Sequence, residues 1–70
     1  MVVFVYYKNN DIGQKITIWN KTKDTCTVQE YDFGKKSKKA VAKIKYYNGK
    51  PFITCKGHRY YLDDFRQFDI

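Results

Sequence analysis

The sequence predicts a mainly β fold: a small single-domain antiparallel β-barrel, SH3-like or OB-like, with about six short strands and a short C-terminal helix or 3₁₀ turn. Three observations predict it. Apolar and polar residues alternate in several short runs, Asn, Asp and Gly separate those runs, and 70 residues suffice for one domain only. A domain this small covers its sheet faces best by curling the sheet onto itself.

The elements follow in chain order. Val2 to Tyr7 is an unbroken β-branched and aromatic run, too short for a helix and suited to a strand. The turn residues of KNNDIGQ come next. Lys15 to Asn20 alternates, with Ile16 and Ile18 opposite Thr17 and Trp19. After the KTKDT turn, Cys26 to Asp32 alternates again, with Cys26 and Val28 opposite Thr27 and Gln29. Gly34 to Lys39 reads as a lysine-rich loop. In the strand that follows, Ala40, Ala42, Ile44 and Tyr46 share one face; Val41, Lys43, Lys45 and Tyr47 share the other.

Asn48-Gly49 is a strong hairpin signal, because both residues accept the positive φ of a tight turn. Pro51 stands at a strand start, where its missing N–H is tolerated. Phe52 to Cys55 pairs back, Lys56-Gly57 turns, and His58 to Leu62 forms the last strand. Leu62, Phe65 and Phe68, spaced by three, predict a closing helix or 3₁₀ turn. The expected core is Phe4, Ile16, Ile18, Val28, Phe52, Leu62 and Phe65.

Charge is distributed unevenly. Fourteen Lys and Arg face seven Asp and Glu, giving a net charge of +7. Between Phe33 and Leu62 the bases are Lys35, Lys36, Lys38, Lys39, Lys43, Lys45, Lys50, Lys56 and Arg59, with no acid among them. Such a field attracts polyanions or an acidic protein surface.

Trp19, Tyr47 and Tyr61 fall on faces that also carry polar or charged residues. Rings beside lysines are the parts of a stacking platform for unpaired bases, with the ammonium groups tracking phosphates. The predicted contact set is Lys35, Lys36, Lys38, Lys39, Lys43, Lys45, Tyr47, Lys50, Lys56 and Arg59. GKKSKK lacks Arg and aromatic residues, so it meets phosphates as point charges without reading bases.

Catalysis is not expected. His58 is the only histidine, and nothing in the sequence orients it against Cys55. Two Cys and one His do not supply the four ligands of a structural zinc site, and no cofactor is expected. Asp63 and Asp64 suit the start of a helical turn. Cys26 and Cys55 are too few for a disulfide scaffold and are expected as free thiols in a cytoplasmic protein; the alternative is a single disulfide joining two strands. The apolar run at the start is too short for a signal peptide or a membrane span.

GKPFITCKGHRYYLDDF, Gly49 to Phe65, is similar to a tail of the form G-R-x-Y-F-x-x-K-G-x-R-Y-Y-L-D-x-F in small uncharacterised proteins of Gram-positive bacteria, their phages and plasmids. The matching residues are Gly49, Phe52, Lys56, Gly57, Arg59, Tyr60, Tyr61, Leu62, Asp63 and Phe65. The resemblance implies a phage or plasmid setting and carries no binding or catalytic residues. The lysine-rich field and the interleaved rings, not the resemblance, set the expected function: non-catalytic nucleic-acid binding to the phosphate backbone through a lysine-rich face with aromatic stacking. The alternative is a protein-interaction module, such as an inhibitor of a host enzyme or defence complex.

Overall fold

The computed structural model describes residues 1–9, 11, 13–33 and 35–70. The first expected turn includes Asn10 and Ile12, and the expected lysine loop begins at Gly34; these three positions lie outside the described residues.

Among the described residues, nine strands and one 3₁₀ turn follow in chain order: β1 (Val2–Asn9), β2 (Gln14–Trp19), β3 (Thr25–Asp32), β4 (Lys35–Lys36), β5 (Ala40–Lys43), β6 (Lys45–Tyr47), β7 (Lys50–Cys55), β8 (His58–Tyr61), the 3₁₀ turn (Leu62–Asp64) and β9 (Arg66–Asp69). The first sheet runs β4-β3-β2-β1-β9, with β5 also paired to β3; the second runs β6-β7-β8. All the ladders are antiparallel.

The expected barrel is therefore corrected to a two-sheet fold. Among the described residues, no ladder joins one sheet to the other. The physical reason lies after β8. The 3₁₀ turn redirects the chain, and β9 pairs with β1 instead of extending the second sheet, with Val2 opposite Asp69 and Val5 opposite Arg66. The closing element is the 3₁₀ turn of the two forms expected, confined to Leu62–Asp64: Phe65 turns into the core, while Phe68 sits on a strand and is exposed.

The remaining departures are local. The strand expected from Ala40 to Tyr47 is divided at Ile44, whose N–H donates to the Asp24 carbonyl at 2.8 Å. Beyond that bond the chain leaves β3 and pairs with β7. Lys35 and Lys36 form a short strand against Asp32 and Tyr31 where a loop was expected. Both tight turns of the second sheet use positive φ, at Asn48 and Gly49 and again at Lys56 and Gly57.

The core lies between the sheets. Ile16, Ile18, Cys26 and Val28 from the first sheet meet Ile44, Ile53 and Phe65. Directly opposed residues of antiparallel strands point to the same side. The alternate positions of β2, β3 and β5 therefore face away from this core. Phe4 and Leu62 pack on the core's margin as expected. Phe52 is buried but lies on the far side of β7 from Ile53, outside the cluster.

Candidate nucleic-acid interface

The outward face of the second sheet gathers five of the predicted contact residues or their immediate flank. Lys45 pairs with Phe52 and Tyr47 with Lys50 across β6 and β7, while Thr54 pairs with Arg59 and Phe52 with Tyr61 across β7 and β8. Because Ile53 points into the core, its neighbours Phe52 and Thr54 point out, and their cross-strand partners point out with them. Lys43 lies one residue before buried Ile44 and Lys45 one residue after it, so both project from the outside of the bend.

Arg59 organises this face. Its guanidinium lies 4.5 Å from the centre of the Phe52 ring and 5.1 Å from that of Tyr47. One of its N–H groups also donates to the Tyr61 hydroxyl at 3.4 Å. The Phe52 and Tyr61 rings are tilted against each other with centres 5.6 Å apart. Arg59 thereby covers Phe52, while Tyr47 stays 54 % exposed. A cation above a ring is favourable, and Arg adds a flat donor fork that a lysine lacks. The chemical result is an aromatic surface carrying Arg59, Lys45 and Lys50, with one open ring at Tyr47 and the carboxylates of Asp63 and Asp64 in the hollow beside it.

The other predicted residues are not all brought to this face. Lys38 lines a groove of about 450 Å³ with Lys43, Lys45 and the acid Glu30, bordered by Val41, Thr54 and Cys55. Lys39 leaves the patch: its ammonium lies 5.0 Å from the centre of the Trp19 ring, on the first sheet. Lys35, Lys36 and Lys56 border a different hollow that also holds Glu30 and Asp32. There, Lys56 approaches the Glu30 carboxylate at 3.9 Å and Lys8 approaches it at 3.6 Å. The acid-free half of the sequence is thus partly neutralised in space by an acid from outside it.

Cys26 and Cys55 are both free thiols, one buried and one half-buried. Burial pushes both thiols up from their ordinary range; Cys55 adds to the effect at Cys26, and the Glu30 carboxylate adds to it at Cys55. Neither has the lowered pKa of a nucleophilic cysteine. Among the described residues, no group of three or more His, Cys, Asp and Glu side chains is placed to hold a metal ion, and no helix is long and apolar enough to cross a membrane.

No family model, curated protein or solved structure matches this chain. The phage or plasmid setting implied by the Gly49–Phe65 tail finds no relative to carry it and is withdrawn.

Proposed function

We propose that this chain is a non-catalytic nucleic-acid-binding domain that engages the phosphate backbone through the outward face of its second sheet. The observation that supports the reading best is the Arg59 guanidinium held over Phe52 and Tyr47, on a face that also carries Lys45 and Lys50. Phosphates are met by Lys43, Lys45, Lys50 and Arg59; Lys38 borders the adjoining groove. The open ring of Tyr47 gives an unpaired base a surface to stack on, and every base has such a face. Binding is accordingly tolerant of sequence.

The test is fluorescence anisotropy with labelled single- and double-stranded oligonucleotides over a series of salt concentrations. Roughly four to six phosphate contacts give a log–log slope of about −3 to −5. Replacing Lys43, Lys45 and Lys50 together by Ser flattens the slope and weakens all sequences alike. Arg59→Lys keeps the charge but loses the flat stack, so it weakens single strands more than duplex. A folded protein that binds neither form at low salt ends this reading. The acidic protein surface then takes its place as the partner.

A further inference from the structure

We propose a second stacking station at Trp19 on the first sheet, so that one single strand of nucleic acid lies across the bend between the sheets and engages both. This rests on the nucleic-acid reading above and extends it to a face that reading does not use.

Trp19, Thr27 and Val41 form one row across β2, β3 and β5. Cys26 and Val28, on either side of Thr27, point into the core, so this row points out. The Trp19 ring is half-buried, and what sits above it is the ammonium of Lys39 at 5.0 Å. Lys39 belongs to no strand and is itself exposed, so it can swing aside. A base stacked on the indole contributes more than a solvated cation above it. The displaced ammonium then stands beside the phosphate of the same nucleotide.

The row leads directly to the first platform. Val41, Lys43, Lys45 and Tyr47 succeed one another along the outside of β5 and β6, and Val41 is 76 % exposed. No outward residue from Val41 to Thr54 on β5, β6 and β7 is acidic. Strand spacing puts Trp19 about 10 Å from β5, and six residues of strand put Tyr47 at most about 20 Å further along. A strand of about nine or ten stacked nucleotides, at about 3.4 Å each, covers that path. The path also bends at Ile44. A single strand follows the bend, whereas a duplex is stiff over far longer distances and presents no free base face.

Trp19 is the only tryptophan, so its emission reports on this station alone. The experiment titrates the full chain at low salt with a labelled thymidine 12-mer, single-stranded or in a duplex with its complement, reading anisotropy and indole emission together. With the single strand, emission changes over the same concentrations at which anisotropy rises, and acrylamide reaches the indole less readily in the complex. The duplex leaves emission unchanged. Trp19→Leu weakens single-strand binding about five- to tenfold, at the low end expected for one stacked base, and Trp19→Phe restores most of it. Should Trp19→Leu fail to fold, the emission of the unaltered chain and the affinity of Trp19→Phe still decide. Single-strand binding with unchanged emission, and with Trp19→Leu as tight as the unaltered chain, overturns the second station and leaves the second-sheet platform standing. No binding of either oligonucleotide overturns both.

Discussion

Ser37 takes the place of a strand residue opposite Glu30. Its N–H donates to the Glu30 carbonyl at 2.9 Å, and its Oγ accepts the Glu30 N–H at 3.0 Å. The gap it fills lies between β5, which pairs with β3 up to Val28, and β4, whose pairing with β3 begins at Tyr31. The Gln29 side chain also donates to the Ser37 carbonyl at 2.9 Å. One serine thus joins two short strands along a single edge and fixes where the neighbouring lysines emerge.

Ser37→Ala is expected to destabilise the fold by about 1 kcal/mol, because the Glu30 N–H loses its partner at a site that water reaches. Ser37→Thr keeps the acceptor and should cost less. Urea unfolding followed by circular dichroism measures both. Equal stabilities for Ser37→Ala and the unaltered chain would show that the edge closes without the hydroxyl.

Lys56 adopts φ of 50°, a left-handed conformation that a long side chain takes at a cost and that Asn takes more readily. Lys56→Asn should stabilise the domain by roughly 0.5 kcal/mol, since the exposed contact it forfeits to Glu30 contributes little. The same variant should leave oligonucleotide affinity within about twofold, because Lys56 stands apart from the second-sheet platform. A thermal melt and an anisotropy titration check the two halves separately. A tenfold loss of affinity would place Lys56 in the contact surface after all.

The thiols give a pH dependence of definite sign. Folding raises the pKa of both Cys26 and Cys55 above the ordinary value of 9.0. Below the unfolded-state pKa both states hold the proton, and this contribution to stability is fully present. As pH rises, the unfolded chain ionises first, so stability falls until the folded pKa is passed. Unfolding midpoints measured in reductant should therefore decline from about pH 8 upward. In Cys26→Ala, the decline should be shallower. An unchanged slope in that variant would rule out the buried thiol as its source.

The strands were legible where a local period carried them. Ile16 and Ile18, then Cys26 and Val28, alternate cleanly, and the structure places them all in the core. Asn48-Gly49 marked its hairpin because turn chemistry needs only two residues. The outward stripe Val41, Lys43, Lys45 and Tyr47 was legible for the same reason.

Distant pairing was not legible. Nothing in LDDFRQFDI says that Arg66–Asp69 will lie against β1; the spacing of Leu62, Phe65 and Phe68 announces a helical or 3₁₀ turn and extends it past Asp64. The bend at Ile44 is equally silent, since Lys43-Ile44-Lys45 alternates straight through it; what ends β5 is a hydrogen bond to Asp24. Val3 and Val5, on the opposite face of β1 from Phe4, are buried by neighbours that the sequence does not bring near. The contact set divided for a related reason. Consecutive lysines share a charge in sequence, but Lys35, Lys39 and Lys45 leave the chain on three different surfaces.

The pairing of β9 with β1 also sets an order of events. It joins Val2 to Asp69, so the ladder that finishes the first sheet forms only after every strand between them has been made. The hairpins β1–β2, β2–β3, β6–β7 and β7–β8 need only short loops to close, whereas this ladder carries the largest loop-closure entropy in the fold. During synthesis, the early strands therefore emerge with the outer edge of β1 unsatisfied. Val3 and Val5 remain uncovered on that side until Arg66–Asp69 arrives. Until Arg66–Asp69 docks, β1 presents an open, valine-rich edge, the kind of edge on which a strand of another molecule can add.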